Sequence, residues 1–453
     1  MMPLWFEAAL LPQGWARDVR IVISAGRILT IQTNEPPQPA DERACIAIPG
    51  LCNVHSHAFQ RGMAGLAERR GPSDDDFWTW REVMYKFLGR MTPGDVHAIT
   101  ALAYAEMLET GFTRVGEFHY LHNDESGRPY ADPTQMAQAV VQAATETGIG
   151  LTLLPVFYAH GGFGGLKPAR GQERFISTPD DFSDLVRACR VLVRDLPGAV
   201  VGVAPHSLRA VTPEALAMVV PMAAGGPVHI HAAEQTREVT DCIAWSGQRP
   251  VEWLLDHAPV DANWCLIHAT HLSENEIARL AASGAVAGLC PTTEANLGDG
   301  TFPAATYLAA GGAFGVGTDS NVLIDAAGEI RALEYSQRLF GQRRNILGSE
   351  LRPSVGASLF AGALAGGGQA LGTGPVELRE GAPADIVALN GRHPSLFGRE
   401  GDACLDSWIF AARSGMVDRV WRAGEKVVAG GRHLAMDAIL ARYRDSLSRL
   451  VAR

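Results

Sequence analysis

The chain has 453 residues, 47% of them apolar and 19% charged. That composition buries a core unaided and excludes a disordered chain, a peptide or a disulfide-stapled miniprotein. Lys and Arg total 39 against 49 Asp and Glu, a net charge of −10, and a surface of that sign repels a phosphate backbone, so nucleic acid is a poor partner.

Seven cysteines without a C-x-x-C pair fit buried thiols in a reducing compartment, hence the cytoplasm. The N-terminus lacks a basic leader and carries Glu7 inside its apolar stretch, which makes it a poor signal peptide. No apolar run reaches the ~18 residues of a membrane span, so no membrane partner is expected.

Residues 18–32 read as two short strands around Ala25-Gly26, a hairpin signal. Residues 46–54 open a series of eight apolar strand-like runs, continued at 112–118, 149–158, 199–205, 228–231, 264–268, 285–290 and 314–319. Helical patterns lie between them, and that alternation is the signature of parallel βα units. One helix is expected from Pro93 to the closing Gly111. The segment 68–92, with its GPSDDDF tract and two Trp, reads as an insertion after the first strand. The Gly-rich tract 161–172 lacks phosphate-loop spacing and reads equally as a flap over a pocket or a surface loop. Residues 384–390 and 419–433 are again β-rich. The last 18 residues read as an amphipathic helix packed on the terminal β-rich layer. The whole is an α/β protein, a (β/α)8 TIM barrel with β-rich ends.

In such a barrel the chemistry stands at the C-terminal ends of the strands. The first strand ends in Val54-His55-Ser56-His57, where alternation puts both imidazoles on one side. The fifth ends in His229-Ile230-His231-Ala232-Ala233-Glu234, the sixth in His268, and the eighth in Gly317-Thr318-Asp319-Ser320. Singly each is an ordinary strand end or turn; jointly they point to a metal site.

On these motifs the chain resembles the amidohydrolase superfamily, whose members place His-x-His on strand one, His on strands five and six, and Asp on strand eight. The resemblance covers nearly the whole chain. It implies that both ends form one small β-sandwich domain, residues 1–48 plus 375–453 with the C-terminal helix, beside a catalytic barrel over 49–374. The fourth strand ends in Ala204-Pro205-His206 with no Lys to bridge two metals, so a mononuclear site is implied. His231 is followed three residues later by Glu234, as in the deaminase subtype. The implied ligands are His55, His57, His231 and Asp319 around one Zn2+ per subunit, although imidazole sites also accept iron. His229 then supports the site or sits in the core, and His119, His122, His160, His257 and His271 have no comparable partners.

A metal dication lowers the pKa of its bound water from ~15.7 towards ~7 and so makes a hydrolytic hydroxide. Asp319 and His268 are placed to take its proton, and Glu234 to hand one to a substrate nitrogen, so hydrolysis of an amidine with loss of ammonia is expected.

Arginines at the same mouth suggest an anionic small-molecule substrate. Arg209 follows strand four in His206-Ser207-Leu208-Arg209, and Arg81 ends Phe77-Trp78-Thr79-Trp80-Arg81 in the insertion. Either Arg could instead serve a structural ion pair; two bidentate clamps would select a dicarboxylate. With His55-Ser56-His57-Ala58-Phe59-Gln60-Arg61, Glu117-Phe118-His119-Tyr120 and Thr293-Glu294-Ala295-Asn296 added, the chain looks like the formimidoylglutamate deiminases. That resemblance implies conversion of N-formimidoyl-L-glutamate and water into N-formyl-L-glutamate and ammonia. Arg209 and Arg81 would hold carboxylates, with Gln60, Tyr120 and His206 as hydrogen-bonding partners. Glu294 has no assigned role, and bracing a loop is preferred. A homodimer is expected from the prevalence of two-fold assemblies. The alternatives are a deaminase of another small molecule at the same metal, a ring-opening cyclic amidase, and a barrel that has lost catalysis. The last is disfavoured because all four ligands, Glu234 and His268 are present.

Overall fold

The computed structural model describes residues 1–71, 75–411 and 415–452. Part of the GPSDDDF tract, residues 72–74, lies outside the described residues.

Both chain ends enter one mixed sheet. The expected hairpin is present as Gly14–Ser24 against Arg27–Gln32, with Ser24 opposite Arg27. Beside it lies a strand that the sequence reading missed, Met2–Leu11, a stretch weighed above only as a poor signal peptide. Glu42–Pro49 joins this sheet parallel to Met2–Leu11 and antiparallel to Ile386–Leu389, which ties the two chain ends together. Val417–Arg422, Glu425–Ala429 and Arg432–His433 complete it. The sheet curls over its own core: Phe6 and Trp421, three strands apart, meet edge to face at 6.0 Å.

The run 46–54, read as one strand, is divided between two sheets. Gly50 makes the division: a Cβ there would lie 2.1 Å from the Thr113 side chain, so only glycine lets the chain cross at this point. Beyond it begins the barrel, whose strands are β1 (Leu51–Ser56), β2 (Phe112–His119), β3 (Gly150–Phe157), β4 (Val200–Val201 and Ala204–Pro205), β5 (Val228–Ala232), β6 (Trp264–His268), β7 (Val286–Leu289) and β8 (Ala313–Val316). They pair in parallel, with β8 beside β1. Parallel bridges Val203↔Val228 and Ser207↔His231 join the two edges of the curled sheet. β4 is broken at Gly202, where a Cβ would meet the Pro227 carbonyl oxygen at 2.4 Å.

The helix Pro93–Thr110 forms as its ends dictate: Thr92 and Asp95 build a capping box, and Gly111 closes it at φ 107°. The insertion after β1 contains a second helix, Phe77–Leu88, capped by Asp76, whose carboxylate accepts the N–H groups of Trp78 and Thr79. The C-terminal helix Met436–Val451 does not pack on the terminal sheet as expected. It lies against Pro93–Thr110, with Arg449 bound to Asp95 at 2.8 Å and Arg442 to Glu146, because its apolar face, with Met436, Ile439 and Leu450, is buried in the main core. Six cysteines are buried and Cys45 is half-buried, all as free thiols. Among the described residues no helix is long and apolar enough to cross a membrane.

Candidate active site

The ends of β1 and β8 are locked by buried amide and hydroxyl groups. Asn53 donates to Thr318 Oγ1 at 2.7 Å, Thr318 Oγ1 donates to Asn321 Oδ1 at 2.6 Å, and Asn321 donates to Ser56 Oγ at 3.1 Å. The backbone N–H of His57 reaches the Asp319 carbonyl, and that of Asp319 the His55 carbonyl, each at 2.9 Å. Beneath them the buried Glu117 accepts from the Ala58 N–H at 2.8 Å and the Tyr104 hydroxyl at 3.1 Å, and burial pushes its carboxyl up to about 8. His55, His57 and Asp319 are thereby fixed before any ligand arrives.

Backbone strain marks the same places. Ala233, His268, Ala269 and Asp319 hold φ at 52°, 68°, 49° and 47°, a left-handed region that costs a non-glycine residue on the order of 1–3 kcal/mol. Such strain turns each strand end sharply inward.

The nitrogens converge. His57 Nδ1 donates to the Phe118 carbonyl and His231 Nδ1 to the His206 carbonyl, each at 3.0 Å, which leaves both Nε2 atoms as bare acceptors. His231 Nε2 lies 3.1 Å from His55 Nε2, and Asp319 Oδ1 is 3.4 Å from the Nε2 of both His55 and His57. Burial holds His55 down at about 3 and keeps His57 and His231 below the ordinary histidine range, so all three are neutral. Burial works against the Asp319 carboxyl, but the His55 hydrogen bond and the nearby imidazoles hold it well below the usual carboxylate range. Ring nitrogens of His55, His57 and His231 lie within 4.8 Å of one another with the Asp319 carboxylate beside them, and this donor set suits a divalent metal.

Around that point stand further titratable groups. His268 Nε2 is 3.8 Å from both Glu234 Oε1 and Asp319 Oδ2. Burial raises Glu234 to about 7, against the pull of His268 and Arg209. Burial opposes the charge on His268, but Glu234, Glu294 and Asp319 outweigh it and lift His268 to about 10. His268, Cys290 and Glu294 form a second cluster of ligand-type atoms. Burial raises the Cys290 thiol well above its ordinary value.

One cavity gathers the expected residues: His57, His231, Glu234, His268 and Asp319 on one side, with Gln60, Arg81, Tyr120, His206 and Arg209 around them. His55 is fully buried beneath. Gln60 donates to the Tyr120 hydroxyl at 2.9 Å, and its own buried carbonyl has no partner among the described residues. His206 Nδ1 meets Ser207 Oγ at 3.0 Å. Arg209 lies 3.7 Å from Glu234, with its buried Nε unpartnered among the described residues. Trp78 carries three guanidinium groups over its ring, Arg81 at 4.4 Å, Arg237 at 4.8 Å and Arg209 at 5.6 Å, and two of them, Arg81 and Arg209, line the cavity.

The remaining histidines do not reach the site. His229 donates to the Ala370 carbonyl at 2.7 Å in the core, His122 meets the Val156 carbonyl at 2.8 Å, and His271 meets the Asp299 carbonyl at 2.8 Å. Sequence reasoning missed Tyr85, Met84, Tyr158 and Phe175, which also line the cavity. Tyr158 directly follows β3 and was accessible to the strand-end rule; Tyr85 stands one helical turn after Arg81.

This fold and this set of converging side chains define a metal-dependent hydrolase of the amidohydrolase class. The amidohydrolase family profile matches residues 46–427, and the profile described as "Formimidoylglutamate deiminase HutF, N-terminal domain" matches residues 3–44. The formimidoylglutamate deiminase of Pseudomonas aeruginosa is 49% identical over 437 residues, 96% of each chain. The crystal structure of an amidohydrolase from Brucella melitensis superposes with a TM-score of 0.97 at 54% identity over the full length of both chains. An adenosine deaminase from Xanthomonas campestris, solved with bound zinc, shares the fold with a TM-score of 0.81 at 22% identity, covering 99% of this chain and 98% of its own. The chain belongs to the amidohydrolase family, and within it to the formimidoylglutamate deiminases.

Proposed function

We propose that this chain hydrolyses N-formimidoyl-L-glutamate to N-formyl-L-glutamate and ammonia, a step of histidine degradation, with one Zn2+ per subunit on His55, His57, His231 and Asp319. The observation that carries the reading is the union, in one cavity, of His57, His231 and Asp319 with Glu234 and with two guanidinium groups, Arg81 and Arg209. It agrees with the name of the Pseudomonas aeruginosa relative.

A divalent metal on these ligands supplies Lewis acidity that brings the pKa of water from ~15.7 towards ~7. Asp319 receives the proton released as water adds to the formimidoyl carbon, and His268, which already carries its own proton, stands beside it at 3.8 Å. Glu234, poised at about 7, delivers a proton to the amidine nitrogen, so that ammonia leaves as the carbonyl forms. Arg81 and Arg209 hold the two carboxylates, and Gln60, Tyr120 and His206 orient the formimidoyl end by hydrogen bonds. The protein acts in the cytoplasm as a homodimer, a state that light scattering tests directly.

The test is ammonia release from N-formimidoyl-L-glutamate by zinc-loaded protein, with cytosine, guanine and N-formimidoylglycine alongside. Fast turnover of the dicarboxylate alone is expected. No ammonia from any of them, with metal bound, overturns the reading and directs attention to ring-opening substrates.

A further inference from the structure

We infer that Tyr158 and Tyr85, held in place by Gln172, form a hydroxyl subsite for one of the two substrate carboxylates, with Gln172 as its positioning residue; this rests on the dicarboxylate reading above. Gln172 closes the Gly-rich tract 161–172 and is buried. Its carbonyl Oε1 accepts the Ala169 N–H at 2.7 Å, which fixes the amide so that Nε2 turns to the cavity. From there Nε2 donates to the Tyr158 hydroxyl at 2.7 Å and reaches the Tyr85 hydroxyl at 3.3 Å.

Four polar hydrogens, two on the amide and two on the phenols, share two phenolic oxygens as acceptors. Two hydroxyls can satisfy only one O–H between themselves. At least one hydroxyl hydrogen is therefore left without an acceptor in the trio, on a wall of the cavity that Arg81 and Arg209 also line. Burial raises the Tyr158 phenol, which stays protonated and able to donate. An acceptor-only group such as a carboxylate completes this set, and a donor-only ammonium group does not.

The surrounding packing keeps the hydroxyls in register. Phe175 lies against the rings of Tyr85 and Tyr158 at 6.0 and 5.6 Å, and Tyr158 packs edge-on to His206 at 4.6 Å. Gly171 adopts φ +97°, and a Cβ there would strike the Tyr85 ring at 2.9 Å, so this glycine lets the tract approach closely enough for Gln172 to reach both tyrosines. The end of the tract thus backs the two tyrosines that line the site.

The experiment uses zinc-loaded full-length protein, comparing wild type with Tyr158→Phe, which removes one oxygen, and with Gln172→Ala. Isothermal titration measures binding of three ligands: N-formyl-L-glutamate, 4-formamidobutyrate, which lacks the α-carboxylate, and N-formyl-2-aminobutyrate, which lacks the side-chain carboxylate. Both variants are expected to raise Kd for N-formyl-L-glutamate, and KM for N-formimidoyl-L-glutamate, by about tenfold or more, with kcat changed by less than about threefold. For one of the truncated ligands, wild type and Tyr158→Phe should bind equally, identifying the carboxylate that the hydroxyls hold. Equal Kd values for N-formyl-L-glutamate, or the same loss on all three ligands, overturn the subsite. Normal wild-type turnover with an unaffected Tyr158→Phe variant removes the subsite alone, whereas a wild type that releases no ammonia removes the functional reading and the subsite with it.

Discussion

His268 and Glu294 are joined at 3.3 Å, imidazole Nδ1 to carboxylate Oε1, and the same Oε1 accepts the Cys290 backbone N–H at 2.9 Å. A carboxylate anchored in this way keeps a proton on Nδ1 and points Nε2 at Glu234 and Asp319. Glu294 therefore braces the His268 side chain as well as a loop.

Replacing Glu294 by Gln retains the shape and removes the charge. We expect kcat to fall between about tenfold and a hundredfold, the usual cost of losing an orienting partner, with KM little changed and the metal content intact. Steady-state kinetics with metal analysis checks this; a Glu294→Gln enzyme with wild-type kcat shows that His268 needs no brace.

Arg209→Ala should depress kcat/KM for N-formimidoyl-L-glutamate by about tenfold to a hundredfold or more, since a charge-assisted hydrogen bond contributes roughly 1.5–3 kcal/mol. Arg209→Lys should recover only part, because an ammonium group cannot grip a carboxylate with two parallel N–H groups. A neutral amidine turned over equally well by wild type and Arg209→Ala would confirm that the loss belongs to the carboxylate, and an equal loss on both substrates would refute it.

Chelation should abolish turnover and lower Tm, with zinc restoring both. Binding to the folded state alone stabilises it by about 2.7 kcal/mol at a free zinc concentration one hundred times Kd. His57→Ala should bind less than one equivalent of zinc and show no zinc-dependent shift in its melting curve. Thermal melting with metal analysis gives the answer, and an unshifted wild-type Tm on adding zinc would count against a preformed site.

Histidine 122 tests the core. Burial lowers His122 to about 4 in the folded chain, below about 6.5 in an unfolded one. Its contribution is therefore complete above about pH 6.5 and is lost as pH falls towards about 4, at up to about 1.4 kcal/mol per pH unit. His122→Gln can still donate an amide N–H to the Val156 carbonyl but does not titrate. The stability difference between wild type and His122→Gln should move in favour of the variant between pH 7 and pH 5. Urea unfolding at both pH values measures it, and a difference independent of pH would show that His122 is not buried in its neutral form.

Much of this protein could be read along the chain. Alternation on β1 puts His55 and His57 on one side, Pro93 and Gly111 bound their helix, and strand-end placement named His231, His268 and Asp319; each is a local property of a few consecutive residues. The division of 46–54 between two sheets was decided by the close approach of Gly50 to Thr113, a partner 63 residues away whose position no periodicity records. The same holds for Gln172 on Tyr85 and Tyr158, for Glu294 on His268, and for the C-terminal helix on Pro93–Thr110. Sequence by itself determined which residue types stand at each strand end. Only the tertiary structure decided which of them meet, because barrel closure sets distances between side chains that are hundreds of residues apart, and hydrogen bonds and van der Waals contacts act only over a few ångströms.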